Sequence, residues 1–203
     1  MSLVDTDWLE KNINQVKVID CSWHMPAENR NAEEEFNNEH IPNAIFFDLD
    51  KNSKNNTDLP HMLPSLDDWN KIVSNLGISK DDQIIIYDNS NVISSCRCWY
   101  NFIYFGHDPK LVSVLNGGLR KWKRENKKLS NEIIKFAKTN YKGKELISEV
   151  QEKRVFWNMK GILSGSIDLP ERLSEQRKRN RIKQSKRLSM SVVPAYKGHG
   201  SFV

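Results

Sequence analysis

Several signals that would assign this chain to a class of proteins are absent from its 203 residues. No apolar run approaches the roughly 18 residues of a transmembrane helix, so we expect no membrane span. Residues 1–5 have neither a basic start nor an apolar stretch, so we expect no secretory signal. Three cysteines, an odd number, argue against a disulfide framework and for a reducing compartment. We therefore expect the cytoplasm, with the mitochondrial matrix as the alternative.

Basic charge is concentrated at one end of the sequence. The net charge is +5, yet residues 171–203 hold nine Lys and Arg against two acids, so residues 1–170 are mildly acidic. The run at 171–187 lacks the interleaved aromatic residues and the module patterns of nucleic-acid binders. We expect a solvated charged segment there, rather than one that binds RNA, DNA or an acidic membrane.

Short apolar runs alternate with amphipathic stretches through residues 1–126. Strands are predicted at 16–20, 44–48, 83–88 and 111–115, where β-branched and aromatic residues cluster. Helical spacing fills the intervals, with predicted caps at Thr6, at Ser65 and at Ser94 or Ser95. Strands that are apolar on both faces are typical of a buried parallel sheet. The predicted fold class is therefore α/β, with a central parallel sheet flanked by helices.

Beyond residue 126 this pattern weakens. Apolar positions are scattered, with neither a helical nor an alternating period. We expect residues 127–164 to be a linker, which includes any remnant of a second domain. We expect residues 165–203 to be a basic and poorly ordered tail.

Three acids, Asp20, Asp48 and Asp88, stand at the ends of predicted strands. In an open parallel α/β sheet, reactive sites lie at the carboxyl ends of the strands. Asp88 follows the most apolar strand and precedes a predicted helix N-terminus, where free N–H groups favour an anion and would activate a thiolate. A carboxylate at that point is a poor sulfur nucleophile and cannot carry a persulfide.

Strings of residues in a fixed order over about residues 2–125 carry a family resemblance. They are DCSWHMP (20–26), NR (29–30), HIPNAIFFDLD (40–50), LPHMLP (59–64), YD (87–88), RCW (97–99), FGH (105–107) and GGLRKW (117–122). The chain resembles the N-terminal half of two-domain rhodanese-type sulfurtransferases of the 3-mercaptopyruvate/thiosulfate kind. A single string would be weak evidence, but the series makes a chance resemblance improbable.

The resemblance implies a rhodanese-like domain that occurs twice in the family. The first copy is catalytically silent and carries Asp where the second copy carries the persulfide-forming Cys, and Asp88 fits the silent copy. The resemblance also implies that Asp50 and His61 help a Ser of the second domain in proton transfer, and it implies no metal or organic cofactor.

The strings that mark the second copy are absent. No Cys-Gly-Ser-Gly loop occurs, and no cysteine follows Cys98. The sequence after residue 150 departs from the family's pattern, so we expect a truncated or divergent tail there, either genuine or produced by a shift of reading frame.

Two functions therefore remain open. One is sulfur transfer, in which a small-molecule donor gives a sulfane sulfur that passes to a thiol or cyanide, while a second rhodanese domain or chain supplies the Cys. The alternative is an inactive rhodanese domain that binds or regulates a partner. A phosphatase on this fold would need Cys-x5-Arg, which no cysteine here satisfies. We expect the cysteines to be packed structural thiols, and His24, His40 and His107 to hold loops rather than a metal.

Overall fold

The structure of the chain is a computed structural model, and it describes residues 2–54, 57 and 59–145. The predicted tail at 165–203, its basic run at 171–187 and the second part of the predicted linker, 146–164, lie outside the described residues. Within the described part of the chain, no helix is long and apolar enough to cross a bilayer.

Strands and helices alternate along the described residues. The strands are β1 (Ser2–Val4), β2 (Lys17–Asp20), β3 (Ala44–Phe46), β4 (Ile84–Tyr87) and β5 (Val112–Leu115). The helices are α1 (Thr6–Asn12), α2 (Ala32–Asn38), α3 (Leu66–Asn75), α4 (Ser94–Tyr104) and α5 (Gly118–Arg124), and one 3-10 turn covers Pro26–Glu28. This alternation confirms the predicted α/β class.

All five strands run parallel in the order β1-β5-β4-β2-β3. Every residue of β4 and β5 is buried, as expected for strands covered on both faces. One apolar cluster joins β2 and β4 to α1, α2 and α5 through Val18, Ile85, Leu9, Phe36 and Trp122, among others. In a second aromatic group, the Trp69 ring of α3 meets Phe102 of α4 edge to face and stacks on Phe105, the residue after α4.

Strand β1 was not predicted from the sequence. It is three residues long and lies at the edge of the sheet, where it pairs only with β5 among the described strands. Leu3 in its centre is 54% exposed. A short, exposed edge strand does not produce the continuous apolar run by which buried strands are recognised.

The observed helix caps match the predicted cap at one helix and differ from it at two. The Ser65 hydroxyl accepts the Asp68 N–H at 3.2 Å, which confirms the predicted cap of α3. Thr6 is not a cap: Asp5 precedes α1, and the buried Thr6 hydroxyl donates to Glu125 instead. Neither Ser94 nor Ser95 caps α4, because both are buried within its first turn.

Residues 127–145 form an irregular segment that packs along the domain. Ser130 pairs with His40 in an isolated antiparallel bridge. Further on, the Thr139 N–H donates to the Ser74 carbonyl at 3.0 Å, and the Tyr141 N–H donates to the Ser74 hydroxyl at 2.9 Å. Tyr141 is 2% exposed, so this segment completes the core beside α3.

Candidate functional site

The carboxyl ends of the parallel strands place three acids along one edge of the sheet. Asp48 serves a turn, because its carboxylate accepts the Lys51 N–H at 3.0 Å and pairs with the Lys51 ammonium at 2.9 Å. Asp20 is buried and accepts two hydrogen bonds from Ser22 at 2.8 and 2.5 Å. Only Asp88 lies in the loop that leads into α4, where the sequence predicts the nucleophile position.

The Asp88 carboxylate occupies the N-terminus of α4. It accepts the Ser95 N–H at 2.7 Å and the Ser90 N–H at 3.3 Å. This contact is possible because Ile93 has a left-handed backbone with φ of 53°, which turns the chain into the helix. Backbone N–H groups at a helix N-terminus bind anions. Here the carboxylate of Asp88 itself accepts their hydrogen bonds.

Serine hydroxyl groups form the other hydrogen bonds of this loop. The Asn89 N–H donates to the Ser22 hydroxyl at 2.8 Å. The Ser90 hydroxyl accepts the Trp23 N–H at 2.8 Å and lies 2.8 Å from the Ser94 hydroxyl. The N–H groups of Asn89, Ser90 and Ser95 therefore all have partners inside the protein.

None of the three cysteines presents a reactive thiolate. Cys21, Cys96 and Cys98 are all buried and free of disulfide bonds. Burial raises the pKa of Cys21 well above its ordinary value, with Cys98 and Asp88 adding to the effect, and burial raises the pKa of Cys96 to about 12. The prediction of packed structural thiols is confirmed.

The structure brings Asp50 and His61 into direct contact. His61 Nε2 lies 2.6 Å from Asp50 Oδ1, while the Trp23 indole N–H donates to Asp50 Oδ2 at 3.0 Å. The rings of Trp23 and His61 meet edge to face with centroids 4.8 Å apart. Arg97 donates to the His61 carbonyl at 2.5 Å. We call Asp50 and His61 together the Asp50–His61 pair.

A hydrogen-bond network around Glu35 contacts the loop between β4 and α4 (residues 88–93, the Asp88 loop), and we did not predict this network from the sequence. Arg30 donates to both Glu35 oxygens at 2.7 Å, and the Asn89 amide donates to Glu35 at 3.1 Å. Partial burial opposes the charge of Glu35, but the Arg30 hydrogen bonds and the nearby His24 outweigh it and lower the Glu35 pKa. The only sequence signal was Arg30 standing just before the Glu-rich α2.

The other three histidines within the described residues, His24, His40 and His107, bond to neighbouring parts of the fold, as predicted. His24 Nε2 lies 3.2 Å from Glu35, and His40 Nδ1 lies 2.6 Å from the Phe36 carbonyl. His107 Nε2 lies 3.0 Å from the Asp82 carbonyl. Among the described residues, no group of three or more His, Cys, Asp or Glu is arranged to hold a metal ion.

Two surface cavities lie away from the Asp50–His61 pair. One of about 460 Å³ is lined by the stretch leading into β2 and by Phe136. The other, of about 190 Å³, lies beside β3 and Ile133. Neither of these two cavities is lined by Asp50, His61 or Asp88.

Comparisons with known proteins agree with this geometry. The sequence is 43% identical to thiosulfate/3-mercaptopyruvate sulfurtransferase 1, mitochondrial, of Arabidopsis thaliana over 123 residues, which cover 60% of this chain and 32% of that protein. It is 37% identical to 3-mercaptopyruvate sulfurtransferase of Escherichia coli (strain K12) over 126 residues, 61% of this chain and 44% of that protein. The chain thus spans less than half the length of these curated relatives.

Solved structures show the same relationship in three dimensions. SseA from Escherichia coli, described as a 3-mercaptopyruvate sulfotransferase with the rhodanese fold, matches with a TM-score of 0.65 and 31% identity, covering 73% of this chain and 57% of that one. Tum1 from Saccharomyces cerevisiae matches with a TM-score of 0.63 and 27% identity, covering 71% and 50%. The family model for the rhodanese-like domain matches residues 5–125. This chain therefore belongs to the rhodanese-like domain family.

Proposed function

We propose that this chain takes part in sulfur transfer from 3-mercaptopyruvate or thiosulfate as the rhodanese-like domain that lacks the nucleophile. The observation that carries the proposal is the Asp50–His61 pair, held at the carboxyl edge of a domain whose nucleophile position contains Asp88. The names of the relatives at 37% and 43% identity support the choice of chemistry.

In this proposal the Asp50–His61 pair assists proton transfer. An imidazole can give and accept a proton near neutral pH, and a carboxylate on one ring nitrogen orients the other nitrogen. The other nitrogen would face a Ser hydroxyl of a second rhodanese domain, which also supplies the persulfide-forming Cys. That Cys accepts the sulfane sulfur and passes it to a thiol or cyanide.

Exposed apolar side chains near the Asp50–His61 pair support a second domain as the partner. Met25, Leu59, Met62 and Val92 are all exposed. Leu59 and Met62 flank His61, Met25 is close in sequence to Trp23, and Asn91 beside Val92 bonds to Glu28 at 2.9 Å. Their position on the segments that carry Trp23, His61 and Asn91 supports the proposal that a second domain covers this part of the surface.

The first test measures the chain by itself. Mercaptopyruvate and thiosulfate are offered as donors, and mass spectrometry locates any persulfide. We expect neither turnover nor persulfide, because the three thiols are buried and the nucleophile position holds a carboxylate. A persulfide on Cys21, Cys96 or Cys98 together with turnover would contradict the proposal.

The second test adds a separately purified Cys-containing rhodanese domain. We expect the chain to raise turnover by that domain, and Asp50→Asn and His61→Asn to reduce the gain about 10²-fold or more, the scale of a lost general acid–base group. Asp67→Asn, an exposed carboxylate on α3, is the matched control. An equal gain in turnover with all variants would show that the pair takes no part in the reaction.

A binding or regulatory module remains the second candidate, and one observation favours it. The loop after β4 has its N–H groups satisfied internally, so it presents a fixed surface rather than an open anion cradle. Under this alternative the chain binds the Cys-containing domain, and Asp50→Asn leaves its turnover unchanged. The effect of Asp50→Asn on turnover in the mixture with the Cys-containing domain therefore distinguishes the two functions.

The domain limits and the compartment belong to the same proposal. We assign residues 1–126 to the rhodanese-like domain, 127–164 to the connection that follows it, whose first part (127–145) packs on that domain, and 165–203 to the tail. Free, buried thiols suit a reducing compartment, and we propose the cytoplasm, which immunolocalisation of the native protein would test against the mitochondrial matrix.

A further inference from the structure

The contact between Asp50 and His61 is exposed, and by itself it does not fix the orientation of the two side chains. The Asp50 side chain is 66% exposed and the His61 side chain 22% exposed. Exposed side-chain pairs typically contribute little, because water competes for the same hydrogen bonds and both side chains lose rotational freedom. A carboxylate bonded at one oxygen only can still rotate, so a further contact is needed to keep its plane fixed.

Trp23 supplies that contact through its indole N–H. This group donates to Asp50 Oδ2 at 3.0 Å, while His61 lies against Oδ1 at 2.6 Å. Each carboxylate oxygen therefore has one partner, which fixes both the position and the plane of the carboxylate. The edge-to-face contact between the Trp23 and His61 rings, at 4.8 Å, restricts the imidazole as well.

The backbone of Trp23 is itself anchored. Its N–H donates to the Ser90 hydroxyl at 2.8 Å, and Ser90 is 7% exposed. The indole therefore extends from a fixed point beside the Asp88 loop. His61 has a left-handed backbone with φ of 55°, and its carbonyl accepts a hydrogen bond from the Arg97 side chain.

We propose that Trp23 is a positioning residue for the Asp50–His61 pair. Its indole N–H holds the Asp50 carboxylate so that His61 keeps Nε2 toward Asp50 and leaves Nδ1 for the proton of the reaction. This role rests on the proposed function in sulfur transfer. A tryptophan that served only as packing would use its ring and not its N–H.

The test reads the His61 ring directly by NMR in the full chain labelled with ¹⁵N. In the wild type we expect one neutral tautomer, with the proton on Nε2. Trp23→Phe keeps an aromatic ring but removes the donor, and we expect the minor tautomer to increase about fivefold to tenfold, the scale of one typical intramolecular hydrogen bond. Trp8→Phe, at an exposed tryptophan of α1, is the matched control and should change nothing.

A second measurement needs no change at Trp23. In Asp50→Ala, the Trp23 indole N–H resonance should move upfield and exchange faster with solvent, while the Trp8 indole stays unchanged. If Trp23→Phe leaves the tautomer ratio as in the wild type, or if Asp50→Ala leaves the Trp23 resonance in place, the positioning role is wrong.

These outcomes are independent of the sulfur-transfer mixture. If the tautomer responds to Trp23→Phe but the chain does not raise the turnover of the Cys-containing domain in the mixture, the proposed function is contradicted and the positioning of the pair is supported. A tautomer that does not respond, in a chain whose gain in turnover depends on Asp50, would contradict the role of Trp23 alone.

Discussion

Asp20 shows how the environment of a single residue makes stability depend on pH. Its carboxyl group is fully buried, and burial raises its pKa from 3.8 to about 6, despite hydrogen bonds from Ser22 and the Tyr87 hydroxyl that favour the charged form. The nearby Asp88 adds to the increase. Because the folded protein binds this proton more tightly than the unfolded chain, the contribution of Asp20 to stability falls as the pH rises from about 4 to about 6.

Asp20→Asn should remove this dependence. The amide oxygen can still accept both Ser22 hydrogen bonds, and no charge is buried. Relative to the wild type, the variant should gain up to about 3 kcal/mol of unfolding free energy between pH 4 and pH 7, from the shift in pKa. Urea denaturation across this range measures the difference, with exposed Asp67→Asn as the control. A difference that does not change with pH would show that Asp20 is already neutral or well solvated.

Residue roles could be predicted only where a local pattern or the family resemblance pointed to them. The resemblance located Asp50 and His61, and the ends of the predicted strands located Asp20 and Asp88. Trp23 was missed as a partner of Asp50, because a tryptophan after a strand fits simple packing equally well. Its partner lies 27 residues away, and such a pairing has no signature in one sequence.

At the level of elements, α4 is capped by a residue that lies well before its first turn, Asp88, and not by a residue directly beside that turn. The sequence rule expected a Ser beside the first turn, but the left-handed Ile93 moves both serines inside the helix. Asp88, seven residues before Ser95, accepts the free N–H instead. A cap that depends on the shape of a loop could not be read from the spacing of helix-capping residues.

Asp88→Ala should therefore destabilise the protein by about 1–2 kcal/mol, the usual range for a lost helix cap. Asp88→Asn, which keeps an acceptor, should lose less. Chemical denaturation at pH 7 measures both. Asp5→Ala is the control, because Asp5 precedes α1 without a side-chain cap bond, and among the described residues its exposed carboxylate contacts only the side chains of Asn116 and Lys121. Equal losses at the two positions would mean that Asp88 does not cap α4.

The turn between β5 and α5 approaches the same loop closely. A Cβ atom on Gly118 would lie 2.5 Å from the Asp88 carbonyl oxygen, and Gly118 has φ of 54°. That carbonyl also accepts the Leu119 N–H at 3.0 Å. Glycine is needed here because two elements meet backbone to backbone, and the loop that carries Asp88 is thereby fixed to α5 as well as to α4.

At the scale of the molecule, the segment 127–145 is as important to the core as the regular elements. Tyr141 is buried, stacks on the His107 ring at 5.9 Å, and its hydroxyl lies 3.2 Å from His107 Nδ1. Burial raises the pKa of Tyr141 to about 12. The sequence predicted β2 to β5 and the five helices, but not this packing, because an irregular backbone with distant partners has no period.

Tyr141→Ala should cost about 3–5 kcal/mol of unfolding free energy, as for other large aromatic side chains removed from a core. Tyr141→Phe should cost only the hydrogen bond to His107, about 1 kcal/mol. Ile133→Ala, at a half-exposed position of the same segment, should change stability by less than about 0.5 kcal/mol. Thermal and urea denaturation of the full chain would show whether the order of these three losses is as expected.

The partners of this segment also determine when it can fold. Its hydrogen bonds join Thr139 to Ile78, Tyr141 to Ser74 and Gly143 to Asn70, residues separated by 61 to 73 positions in sequence. These acceptors are arranged only once α3 has packed on the sheet, and contacts between residues so far apart close large loops and form slowly. The segment should therefore dock after α3 has formed, and its docking closes the core with residues that have no regular structure.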